Sequence, residues 1–83
     1  MAPAFSQMPT LGEFIARARD YGYTKHIIRI PELGARIVYL RRGRGASPEL
    51  VDLPAMRESD LLVRAAVEDL CQRSGIPKED FGL

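Results

Sequence analysis

Two runs of alternating side chains, "YTKHIIRI" at residues 23–30 and "ARIVYLRR" at 35–42, stand either side of "PELG". Period-two alternation marks a strand whose two faces meet different surroundings, and the proline, acidic residue and glycine of the connection supply turn chemistry. The pair predicts an antiparallel hairpin. An isolated hairpin is marginal in water, so the rest of the chain has to supply another strand and a cover for one face. "GRGASP" reads as the next loop, and "ELVDLP" as a short third strand that Pro54 ends.

The cover comes from two segments with helical spacing. In "TLGEFIARARDYGY", Thr10 and Glu13 have the separation of a capping box, in which each side chain satisfies the other's backbone amide. Leu11, Phe14, Ile15 and Ala18 then share one face, and Gly22 suits the residue after the helix, which is expected over about 10–21. In "MRESDLLVRAAVEDLCQRSG", Leu62, Val63, Ala66, Val67, Leu70 and Cys71 form an apolar stripe, with Ser59 or Asp60 as the cap and Gly75 as the end. The fold expected is α+β in the order αβββα, a three-stranded antiparallel sheet packed against two helices. Its 83 residues form one domain, near the lower size for a core without staples. Within it, 1–9 is expected to be a flexible arm carrying Pro3 and Pro9, 10–76 the domain itself, and 77–83 a tail. Pro77 is placed to open a short turn there, and Phe81 and Leu83 to pack back on the body.

Facing follows from the alternation. His26, Ile28 and Ile30 make the more apolar set of the first strand and are expected to face the helices, with Lys25, Ile27 and Arg29 outward. On the second strand Val38 and Leu40 are expected inward, and Ile37 and Tyr39 outward.

A net charge of +1 conceals a strong asymmetry. Residues 25–44 hold Lys25, Arg29, Arg36, Arg41, Arg42 and Arg44 against Glu32 alone, whereas residues 45–83 hold four basic residues against eight acidic ones. A basic middle of this kind points to an anionic partner, the alternative being a charge separation that serves only solubility or dimer contact. The single cysteine excludes an intramolecular disulfide and fits a reducing compartment, and no apolar run has membrane-spanning length. A cytoplasmic protein that does not enter the membrane is therefore expected.

The chemistry-bearing residues are few. Arg41, Arg42 and Arg44 surround glycines whose missing side chains let backbone amides approach a phosphate while guanidinium groups grip it. Lys25, Arg29 and Arg36 join them if the faces match, and Tyr39 can stack on a base. Against this stands the use of arginines as strand-edge protection. His26, the only histidine, is the natural candidate general acid or base. Its spacing with Ile28 and Ile30 argues against that role and for a hydrogen-bonded, half-buried structural histidine. Cys71 sits in an apolar stripe and reads as a core thiol, and Glu68 and Asp69 as a solvated face. With one histidine, one cysteine and no phosphate-loop motif, neither a metal, a cofactor nor nucleotide hydrolysis is expected.

The second half, "LVDLPAMRESDLLVRAAVEDLCQRSGI", resembles the end of HicA-like toxins, small RNA-cleaving members of bacterial toxin–antitoxin pairs. The features are Val51, Pro54, Leu61 or Leu62, Leu70, Gly75 and Ile76, and the opening helix with "YGY" is similar too. The resemblance covers about residues 10–76. It implies a fold like that of a double-stranded-RNA-binding domain, an RNA partner and an antitoxin-like protein partner. The family's metal-free cleavage uses a histidine in a Gly-Ser-His motif on the second strand, and here Gly34-Ala35-Arg36 occupies that place. Arginine holds phosphate but accepts protons poorly. The resemblance thus implies RNA binding, with ribonuclease activity weak or absent and His26 the remaining catalytic candidate. The alternative is a non-catalytic protein–protein interaction module using Ile37 and Tyr39 on the outer face.

Overall fold

The structure, a computed structural model, describes residues 8–83. The expected arm at 1–9 therefore lies, apart from its last two residues, outside the described part. The element order is αβββα: α1 (Leu11–Asp20), β1 (Thr24–Ile30), β2 (Ala35–Arg42), β3 (Glu49–Asp52) and α2 (Arg64–Ser74). The strands pair antiparallel in the order β1-β2-β3, with both helices against one face.

Local chemistry places the first three elements as the sequence predicts. Thr10 Oγ1 accepts the Glu13 amide at 3.0 Å, while Glu13 Oε1 accepts the Thr10 amide at 2.7 Å, so α1 begins with a reciprocal capping box. Leu11, Phe14, Ile15 and Ala18 are buried along one side of α1. Between β1 and β2, Pro31–Leu33 form a single 3-10 turn closed by Gly34.

The hairpin register settles which way the strands face. Residues opposite one another in an antiparallel ladder share a face. Lys25 lies opposite Leu40, which lies opposite Val51, and both apolar residues are buried under the helices. Lys25, Ile27 and Arg29 are accordingly on the helix side, and His26, Ile28 and Ile30 face outward with Ile37 and Tyr39. This reverses the facing expected for β1. The cause is Tyr23, at the entrance to the strand: it is buried, and its hydroxyl donates to the Ser74 carbonyl of α2 at 2.7 Å. With Tyr23 held inward, every odd residue of β1 follows. The helices do not reach the hairpin tip, so Ile27 stays 42% exposed even on the covered side.

The second helix starts later than its sequence suggests. Val63 occupies the cap position with no side-chain bond and is 68% exposed, outside the buried stripe. Asp60 is used elsewhere, accepting from the Arg57 amide and guanidinium at 3.2 Å each, and Leu61 and Leu62 pair with the segment entering α1. Val67, Leu70 and Cys71 are buried as expected, and burial pushes the Cys71 thiol pKa up. The tail makes the expected turn at Lys78–Phe81. Phe81 stacks on Phe14 with ring centroids 5.4 Å apart, and Leu83 packs on the same core.

Candidate nucleic-acid interface

β2 ends in "LRRGRG", and alternation sends its adjacent arginines to opposite faces. Arg42 turns to the helix side. Its guanidinium forks onto Glu49, with Nε and Nη2 both 2.9 Å from carboxylate oxygens, and Nη1 donates to the Tyr21 carbonyl at 3.1 Å. The same group lies 4.5 Å from the centroid of the Tyr23 ring. The hydrogen bond from Arg42 holds the Glu49 carboxyl below its usual range. Each of the three guanidinium nitrogens of Arg42 thereby donates one hydrogen bond within the protein.

Lys25 is also engaged on that side. Its Nζ lies 2.6 Å from Glu58 Oε2, and this bond, reinforced by the nearby charges of Lys25, Arg19 and Arg36, keeps the Glu58 carboxyl low. Arg29 and Arg36 stand opposite each other on the helix-side face, toward the uncovered hairpin tip. Arg36 borders a groove there with Val38, Leu53, Pro54 and Met56, which contains neither an aromatic side chain nor a histidine.

Arg41 turns to the outer face. With Thr24 and His26 from β1, and with Gly22, Gly43, Arg44 and Gly45, it lines an open depression of about 460 Å³. The β2–β3 loop can take this course because Gly43 and Gly45 have φ of +94° and +89°, values that L side chains rarely adopt. Loop backbone at these two positions also carries no side chain to screen it from a ligand.

Thr24 fixes the histidine. Its Oγ1 lies 2.8 Å from His26 Nε2 and 3.3 Å from the Arg41 carbonyl oxygen. The direction of the Thr24–His26 bond follows the ring's tautomer, and among the described residues Nδ1 has no hydrogen-bond partner. The imidazole stacks on Tyr39, with centroids 5.3 Å apart and planes inclined by 19°. Arg41 Nε is buried without a hydrogen-bond partner. The rest of the outer face is apolar apart from Asp52: Leu50, opposite Arg41, is 58%, Ile28 49% and Ile37 44% exposed.

The structure therefore brings together His26, Tyr39, Arg41 and Arg44 from the predicted residues. Lys25, Arg29, Arg36 and Arg42 are on the opposite face and do not join them. Thr24 and Gly22 were missed. Thr24 had a signal, since it stands two residues before His26 at the start of an alternating strand and must share its face. Gly22 had none beyond its role after α1.

Among the described residues, no group of three or more His, Cys, Asp or Glu side chains is placed to hold a metal, and no helix is long and apolar enough to cross a membrane. Comparison with protein-family models, curated proteins and solved structures finds no match.

Proposed function

We propose that this chain binds single-stranded RNA on the open face of its sheet, with the arginine loop as the anionic anchor. One observation carries the reading: His26, Arg41, Arg44 and side-chain-free loop backbone border one depression, and Tyr39 stacks on that histidine beside it. Unpaired bases stack on aromatic faces, and arginine holds the phosphate beside them, whereas the edges of a duplex offer no such faces. The reading agrees with the RNA partner implied by the resemblance to HicA-like toxins, and extends to a toxin–antitoxin component that holds RNA more readily than it cuts it. Arg36, at the place of that family's histidine, is on the face away from His26. Were cleavage to occur, His26 would take the 2′-hydroxyl proton as that oxygen bonds to phosphorus, Arg41 would steady the phosphorane, and the 5′-oxygen would leave with a proton from water to give a 2′,3′-cyclic phosphate.

A salt series tests the binding. Contacts to phosphate release counterions, so affinity for a short single-stranded RNA falls with salt with a log–log slope of about −0.7 per phosphate. Arg41→Ala with Arg44→Ala should flatten that slope, and Tyr39→Ala should weaken binding with the slope unchanged. Absence of binding at low salt would remove the proposal.

The exposed Ile28, Ile37 and Leu50 favour a second reading, in which this face receives a protein of antitoxin type with an apolar centre and an acidic rim. In that case Ile37→Glu abolishes complex formation, and wild-type binding of the protein partner falls with salt less steeply than phosphate contacts require.

A further inference from the structure

Resting on the RNA-binding reading, we infer that the depression at Arg41 takes a terminal phosphomonoester, so that the protein holds the phosphorylated end of an RNA strand and does not track along its backbone.

The charge map of the outer face carries this. Of the residues that β1, β2 and β3 present on that side, only Arg41 and Asp52 are charged. A protein that follows a nucleic-acid backbone needs cations along the whole path. Here Leu50 stands beside Arg41, the path away from it crosses Ile37 and Ile28, and Asp52 stands opposite Tyr39, where it repels a second phosphate. The cations are concentrated instead at one end, where Arg44 faces the same depression as Arg41. Two arginines lining one depression match the two negative charges of a phosphomonoester better than the single charge of a backbone diester.

The shape agrees with the charge. The depression is bordered by Gly22 on the α1–β1 junction and by Gly43 and Gly45 on the β2–β3 loop, so the sheet ends there. Tyr39 is two residues from Arg41 on the same face, about 7 Å along the strand. That distance suits one nucleotide whose phosphate sits at Arg41 and whose base lies on the Tyr39 ring. The free site also carries an unsatisfied donor, because Arg41 Nε is buried with no acceptor. Leaving a charged group's donor unpaired is unfavourable, and an oxyanion that draws the guanidinium outward relieves it.

Three RNA strands of one short sequence decide the matter: one with a 5′-phosphate, one with a 3′-phosphate, and one with hydroxyls at both ends. Their affinities are measured at fixed salt by fluorescence anisotropy for the wild type, Arg41→Ala, Arg44→Ala and the remote control Arg64→Ala. One phosphorylated strand should bind about tenfold more tightly than the unphosphorylated strand. That preference should vanish in Arg41→Ala and Arg44→Ala and persist in Arg64→Ala. Arg44 is exposed on a loop, so its variant tests the site even if Arg41→Ala perturbs the strand. Equal, Arg41-dependent binding of all three strands overturns the end preference and leaves RNA binding standing. No binding of any strand at low salt overturns both.

Discussion

Arg41→Ala and Arg42→Ala, substitutions at adjacent positions, should damage different properties of the protein. Arg42 donates to the Tyr21 carbonyl from a partly buried position and lies over the buried Tyr23 ring. A charged donor on a backbone carbonyl at this depth contributes about 1 kcal/mol, and the cation–π contact about 1 kcal/mol more. The fork onto Glu49 is open to solvent on its carboxylate side and is given no weight. Arg42→Ala is therefore expected to lose about 2 kcal/mol. In a domain of this size that lowers Tm by about 10 °C. Arg41 makes no side-chain bond inside the protein through Nε, and its loss should leave Tm nearly unchanged while RNA affinity falls. Thermal unfolding followed by circular dichroism, alongside anisotropy with a labelled RNA, separates the two losses. If Arg42→Ala unfolds at the wild-type temperature yet fails to bind RNA, the assignment of the two faces is wrong.

Other expectations concern the core and its charges. Leu40, fully buried at the centre of the sheet, should cost about 3 kcal/mol as Leu40→Ala, read as a lower urea midpoint with an unchanged m-value. The Glu49, Glu58 and Asp60 carboxyls have folded pKa values below their unfolded ones, so the stability they add is complete above the ordinary carboxylate range of about 4 and is lost as pH falls through the lowered values. Denaturation midpoints measured between about pH 6 and pH 3 should show that acid limb, and Glu58→Gln should make it shallower. Cys71 is buried with its thiol pKa raised, so an aromatic disulfide reagent should react with it only on unfolding; prompt reaction in the native state would contradict its place in the core.

Much of the fold was legible because local chemistry and tertiary packing agree. The Thr10–Glu13 box, the "PELG" turn and the stripe through Val67, Leu70 and Cys71 each have one good local solution, and the chain adopts it. Two features were not legible. In "TKHIIRI" apolar residues occupy both parities, so alternation alone leaves the facing of β1 undecided, and a buried contact from Tyr23 to α2 decides it. The start of α2 looked like a capped helix from Ser59 or Asp60, but Asp60 closes its own turn with Arg57 and the next two residues pair with the chain entering α1. The site was lost through the same ambiguity. Once β1 is turned over, His26 moves from a presumed inner position to the face of Tyr39 and Arg41, and Lys25 and Arg29 leave it. Arg41 and Arg42 separate for the simplest reason, that neighbours on a strand point in opposite directions.

The most direct test of the open-face account is an amide chemical-shift map of the protein titrated with a short, 5′- or 3′-phosphorylated single-stranded RNA. The account predicts changes concentrated at Thr24, His26, Tyr39, Arg41 and the Gly43–Gly45 loop, with α1 and α2 undisturbed. Changes centred on Lys25, Arg36 and Glu58 on the helix side, with the outer face silent, would contradict it.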